Sequence, residues 1–215
     1  MMKPKFPTQL FISGIGTGIG KTISAAIVTE ALYADYWKPI QSGSNDVSDS
    51  ETVALLISNT ETRIYKEAYS LKHASSPHYA AKLEGVNIDL SLCALPTTRP
   101  LVVEGAGGLM VPLTEKQLQI ELVKQLELPV LLVVKNYLGS INHTLLSIEA
   151  LQSRGIKIAG LIFNGPPFND NEEIILKFCE LPVLGRIDMT EKPDKDFVLQ
   201  QAAKLRVSLM EHFEL

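Results

Sequence analysis

The sequence is poor in cysteine, histidine and tryptophan, and it has no long apolar run. Each shortage removes a class of protein. Its two cysteines, Cys93 and Cys179, lie far apart and form no paired motif. A disulfide framework or a cysteine-rich metal site is therefore excluded, and both read as free thiols of an intracellular chain. The four histidines (His73, His78, His143 and His212) show no ligand spacing, so they read as capping, surface or core residues. No apolar stretch approaches the ~18 residues of a membrane helix. The opening Met-Met-Lys-Pro-Lys-Phe-Pro-Thr-Gln has no apolar segment before the first strand and does not read as a signal peptide. Net charge is −4 with no basic block, which argues against nucleic-acid binding by bulk charge. The expectation is a cytoplasmic chain with neither a membrane nor a nucleic-acid partner. With 46% hydrophobic residues over 215 positions and no linker, repeat or low-complexity tract, residues 1–215 are expected to form one domain around a substantial core.

Glycine, in contrast, is concentrated. The segment Gly14-Ile15-Gly16-Thr17-Gly18-Ile19-Gly20-Lys21-Thr22 lies between an apolar strand pattern and a helical one. Glycine weakens both elements, so its repetition here needs a cause. A bound phosphate supplies one. Backbone N–H groups can approach an anion where no Cβ intervenes, and the helix start adds its positive dipole end. Lys21 would neutralise phosphate charge, and the Thr22 hydroxyl could ligate Mg²⁺. The strict G-x-x-x-x-G-K-[ST] pattern would need glycine at position 15, which is Ile15. The loop is therefore a variant, and a plain glycine-rich strand-to-helix turn with a surface lysine stands beside the phosphate reading.

Apolar runs alternate with helical spacing along the chain. Strands are expected at 9–13, 101–104, 129–134, 158–163 and 183–187, with a further one near Trp37. Helices are expected from Lys21 to about Tyr36, then over 117–126, 141–154 and 197–213. This alternation predicts an α/β fold, a mostly parallel sheet with helices on both faces, and the glycine loop with Lys21 and Thr22 makes the expectation P-loop NTPase-like. Ligands of such sheets gather at the carboxyl ends of the strands. Five of those ends carry polar or glycine-rich residues, including Lys38-Pro39, Glu104-Gly105-Ala106-Gly107-Gly108, Lys135-Asn136 and Asn164. Glu104 ends an apolar run, where a carboxylate is costly unless paired or bound to a cation. With Thr22 it could complete an oxygen shell around Mg²⁺. Pairing with a core lysine, or capping of the next helix, is the plainer alternative. Lys38 alone would read as a surface charge. At this rim it is a candidate for stabilising a developing anion.

The combination of Gly16 to Thr22, Lys38-Pro39-Ile40-Gln41-Ser42-Gly43, Ser76-Pro77-His78, Glu104 to Gly108 and Leu138-Gly139-Ser140-Ile141-Asn142-His143 resembles the dethiobiotin synthetase family over roughly residues 8 to 190. The offset of Gly14 is the family's own. Gly16 and Gly18 stand where family loops often carry acidic residues.

The resemblance implies an ATP-dependent ligase of biotin synthesis that carboxylates 7,8-diaminononanoate with CO₂ or bicarbonate and closes the ring. It implies Mg²⁺ as cofactor and a homodimer with substrate near the interface. Carried over residue by residue, it gives Lys21 and Lys38 catalytic roles. The nucleotide would be held by Gly18, Ile19, Gly20, Lys21, Thr22, Ile23, Asp49, Glu104, Gly105, Ala106, Gly107, Asn164, Gly165, Asp188, Met189 and Thr190. Asn164 would read the adenine edge. Substrate would lie along Ser42, Gly107, Gly108, Leu138 and Asn142. The metal ligands would be Thr22, Glu104 and Asp49, with Asp46 the alternative to Asp49. Ser76-Pro77 also fits a helix start with an N-cap and a following proline. A partitioning-type switch ATPase shares the expected fold, but its loop carries a lysine where this chain has Gly16.

Overall fold

A computed structural model describes residues 9–43 and 47–213. Among these residues the chain runs β1 (Gln9–Gly14), α1 (Lys21–Leu32), β2 (Asp35–Trp37), β3 (Ile40–Ser42), α2 (Asp49–Leu56), β4 (Ile64–Tyr65), β5 (Tyr69–Leu71) and α3 (Pro77–Glu84). It continues through β6 (Leu101–Gly108), α4 (Gln119–Leu126), β7 (Val130–Lys135), α5 (Ser140–Gln152), β8 (Ile158–Asn164), α6 (Asn171–Phe178), β9 (Val183–Ile187) and α7 (Lys195–Phe213). Seven strands form one parallel sheet in the order β4-β2-β6-β1-β7-β8-β9, and β3 pairs with β5 in a small parallel sheet of its own.

The alternation of side chains along β1 divides the core. Leu10 and Ile12 face one apolar layer, with Ala25, Ala26, Ile27 and Val28 of α1 and Val198, Ala202, Leu205 and Leu209 of α7. Phe11 faces the other, with Ala80 of α3 and Ile120, Leu122 and Val123 of α4. A strand covered on both faces is apolar throughout for this reason. β1 sits between β6 and β7. The chain builds outward on one side of it and then on the other, so a ligand crevice falls at the carboxyl ends of these central strands.

The expected elements are present with one correction. The helix from Lys21 does not reach Tyr36. It stops at Leu32, Tyr33 takes a left-handed conformation (φ 50°), and Asp35–Trp37 becomes strand β2. The Ala-rich start of the helix carries the expectation too far: Asp35, Tyr36 and Trp37 are weak helix formers, and they pair instead with Leu101, Val102 and Val103 of β6. Pro77 opens α3 with Ser76 as N-cap, the local reading of Ser76-Pro77. Cys93 and Cys179 are free and buried, and burial pushes the Cys93 thiol up to about 11. No helix among the described residues is long and apolar enough to cross a membrane.

The last helix secures the first. Arg206 of α7 donates to the carbonyls of Ala31 (2.9 Å) and Glu30 (3.2 Å), and its guanidinium lies 4.4 Å from the Tyr33 ring centroid. It thereby satisfies carbonyls that the end of α1 leaves open. Arg206→Ala should cost about 2 kcal/mol, from lost charged hydrogen bonds and ring contact. A urea titration should show a lower midpoint with an unchanged slope.

Candidate active site

The glycine loop ends where α1 begins. Gly20 is the residue before the helix, with φ 91°, and a Cβ there would lie 2.1 Å from the Asn164 amide nitrogen. The left-handed φ favours glycine, and any larger residue would also displace the Asn164 amide. Asn164, at the end of β8, donates to the Ile19 carbonyl at 2.7 Å and so ties the loop to a strand two places from β1 in the sheet. Lys21 is buried, and its ammonium donates to the Gly16 carbonyl at 3.0 Å. Burial lowers the Lys21 pKa, with Lys38 acting in the same direction and Glu104 and Asp49 opposing.

Sheet register brings the charged residues together. Trp37 pairs with Val103 across β2 and β6, so the next residues, Lys38 and Glu104, stand side by side. The Lys38 ammonium lies 3.1 Å from Glu104 Oε1 and is paired closely with Asp49 Oδ2. Thr22 Oγ1 lies 2.8 Å from Asp49 Oδ1 and 2.9 Å from Glu104 Oε1. The second Glu104 oxygen accepts a 2.8 Å hydrogen bond from the fully buried Tyr36 hydroxyl. Lys38 is 4% exposed and Glu104 1%, so neither charge is left to water. Burial pushes Lys38 down, but the Glu104 and Asp49 charges outweigh it and raise its pKa. Burial likewise pushes Asp49 up, while Lys38 and the Thr22 and Lys38 hydrogen bonds bring it below the ordinary carboxylate value. Burial and the neighbouring Glu104 hold the Tyr36 phenol far above its usual value, so it stays protonated.

Asp49 is placed by a capping box. The Ser48 hydroxyl accepts from Glu51 N, and the Glu51 carboxylate accepts from Ser48 N at 2.8 Å. Gln41 adds a long contact, accepting from Asp49 N at 3.4 Å. Asp46 lies outside the described residues.

These groups line a cleft of about 800 Å³ with Thr17, Gly18, Gly20, Ile23, Ser42, Ala106, Gly107 and the segment from Ala74 to Pro77. The Ser42 hydroxyl is buried and has no hydrogen-bond partner among the described residues. Other expected site residues lie elsewhere. The Ile19 side chain is in the core, and Gly105 is packed where a Cβ would meet the Phe11 ring at 2.8 Å. Gly108 lies against the backbone of Gly14 and Gly16, outside the cleft lining. Gly165 donates to the Ile187 carbonyl. Asp188 accepts from Gln201 (2.8 Å) and Lys204 (2.5 Å), Met189 is exposed, and Thr190 accepts from Lys192 N. Leu138 is 89% exposed and Asn142 is exposed, both away from the cleft. Tyr36 and Gln119, which accepts from Ala106 N, carry no motif that singles them out in the sequence, and Gln41 lies inside the Lys38 to Gly43 stretch with no role of its own assigned there. Only the capping-box spacing Ser48-x-x-Glu51 offers a usable signal, one that favours Asp49 as a helix start.

Removing one partner of a buried ion pair leaves the other uncompensated. Lys38→Met should therefore destabilise the ligand-free protein by about 3–5 kcal/mol at neutral pH. The Asp49 share has a definite sign. Its folded pKa lies below 3.8, so its stabilisation is present above that value and fades as pH falls through the folded pKa. The gap between wild type and Lys38→Met in denaturant titrations should therefore shrink in acid below about pH 4.

Residues 8–196 match the family model described as AAA domain. The ATP-dependent dethiobiotin synthetase BioD of Christiangramia forsetii is 48% identical over 206 residues, covering 95% of this chain and 99% of that protein. The same-named protein of Rhodopseudomonas palustris is 44% identical over 207 residues, with 96% and 94% covered. In the bifunctional biotin biosynthesis protein BioCD of Bordetella avium, 46% identity extends over 93% of this chain but 42% of that protein. Among solved structures, a plasmid partition protein from Borrelia burgdorferi bound to AMPPNP superposes with TM-score 0.61 at 12% identity, covering 96% of this chain and 99% of that one. The cell division ATPase MinD of Pyrococcus furiosus gives 0.55 at 19% identity, with 97% and 99% covered. These two likenesses speak for the P-loop NTPase fold alone. With near-complete coverage at such identity among the curated relatives, and the cleft geometry beside it, the chain belongs to the dethiobiotin synthetase family.

Proposed function

We propose that this chain is an ATP-dependent dethiobiotin synthetase acting on 7,8-diaminononanoate and CO₂. The observation that carries the reading is the cluster of Thr22, Lys38, Asp49 and Glu104 beside a glycine phosphate loop and a Ser42 hydroxyl with no partner among the described residues. In the proposed sequence one amine adds to CO₂ and loses a proton, giving a carbamate. A carbamate oxygen attacks the γ-phosphorus of ATP, and ADP leaves. The second amine then attacks the carbonyl carbon and loses a proton, the bond to the phosphate oxygen breaks, and the ureido ring closes as phosphate departs. Gly18, Gly20 and Lys21 hold the phosphates. Ser42 bonds the substrate, and Lys38 faces charge that grows as phosphoryl moves.

The donor set fits Mg²⁺. Two carboxylates and a hydroxyl are hard oxygen donors, and one hydroxyl proton cannot serve both carboxylates at once. Among the described residues no group of three or more His, Cys, Asp or Glu gathers as a metal cage. That agrees with a cation shared with nucleotide phosphates and water. Thr22, Asp49 and Glu104 would hold it, and it would supply neutralisation of phosphate charge. Asn164 and Gly165, with Asp188 to Thr190, are proposed for the adenine side. Leu138 and Asn142 lie outside their own cleft, so their proposed substrate contacts belong to the homodimer reading. The switch-ATPase alternative is not favoured. Its extra lysine is Gly16 here, and Gly16 instead offers its carbonyl to Lys21.

Coupling tests the proposal. ADP release should stay near background with MgATP alone, with diamine alone added or with bicarbonate alone added, and should rise only with both. Full turnover on MgATP alone, or stimulation by DNA, would contradict it. Lys38→Gln should lower kcat more than it raises KM for ATP, because its charge matters most in the transition state.

A further inference from the structure

Glu104 uses its two oxygens for different purposes. Oε1 faces Thr22 at 2.9 Å and Lys38 at 3.1 Å, on the cleft side. Oε2 points inward and accepts from the Tyr36 phenol at 2.8 Å. Tyr36 is 0% exposed on β2, one position before the Trp37–Val103 pair, and no residue of the proposed reaction needs it. A buried tyrosine hydroxyl needs an acceptor, and the acceptor here is the inner oxygen of this carboxylate. A phenol bound to the inner oxygen leaves the cleft-side oxygen, which faces Thr22 and Lys38, as the one that can reach a cation. Ca²⁺ accepts six to eight oxygens and often takes both from one carboxylate, whereas Mg²⁺ demands an octahedral shell.

We propose that Tyr36 is a positioning residue that makes Glu104 a one-oxygen ligand and thereby sets the site's preference for Mg²⁺ over Ca²⁺. The inference rests on the reading of Glu104 as a metal ligand. Tyr36→Phe keeps the ring and removes the donor. Loss of an outer partner of a metal ligand typically weakens metal binding by about 10–100-fold.

The test is direct binding rather than turnover. Mn²⁺ is titrated by electron paramagnetic resonance into wild type and Tyr36→Phe with a non-hydrolysable ATP analogue present, and Mg²⁺ and Ca²⁺ are then used as competitors. Mn²⁺ binding should weaken at least ~10-fold in Tyr36→Phe, and the Ca²⁺-to-Mg²⁺ preference should shift toward Ca²⁺. Unchanged affinity and preference would overturn the inference. So would an equal loss for all three ions, which is what a merely structural tyrosine would give. If wild type itself binds no Mn²⁺ with the analogue, the ligand reading fails along with it. Should Tyr36→Phe not fold, metal-induced infrared difference spectra of the wild type decide the matter. Mg²⁺ should produce the widely split carboxylate bands of one-oxygen ligation. The narrowly split pair of two-oxygen ligation would overturn the inference.

Discussion

Everything at the rim depends on one buried charge balance. Lys38 and Glu104 are both withdrawn from water, and Asp49 and Thr22 close around them. Isolated, either charge would carry a desolvation penalty of several kcal/mol. Together they tolerate burial because each carboxylate oxygen facing the cleft finds a cation or hydroxyl. Mg²⁺ held by the same carboxylates would take over much of the neutralising role of Lys38, freeing that ammonium to face a transferring phosphoryl group.

The fold exists to hold four distant segments at this point. β2 delivers Lys38, β6 delivers Glu104, α1 delivers Thr22 and α2 delivers Asp49. Parallel register sets the first two side by side, and a capping box sets the last. α1 is pinned at both ends: Asn164 holds the loop before it, and Arg206 satisfies the carbonyls at its end. The carboxy-terminal helix thus serves the site as scaffold, through its packing on α1.

Much of this is legible in the amino-acid sequence. Uninterrupted apolar runs announce strands buried on both faces, and the glycine loop with Lys21 and Thr22 marks the central rim. Glu104 is legible as a candidate because a carboxylate ending an apolar run needs a partner, and Lys38 because it stands at the carboxyl end of an expected strand. Their pairing is not, since register is a property of the sheet. The helix end at Leu32 is hidden because it is set by a left-handed Tyr33, by Arg206 on the last carbonyls and by pairing of β2 with β6, none of which a residue type announces. Tyr36 is invisible for a related reason. An aromatic residue in a strand normally reads as core, and only the Glu104 contact distinguishes it. β3, β4 and β5 are too short for periodicity to register.

The central claim is that ATP is consumed to join a one-carbon unit to a diamine. The most direct measurement supplies ¹³C-bicarbonate, MgATP and 7,8-diaminononanoate and follows the products by mass spectrometry. The expected result is dethiobiotin carrying a single ¹³C at its ureido carbon, formed in step with ADP. ADP accumulation without any labelled product would contradict the account.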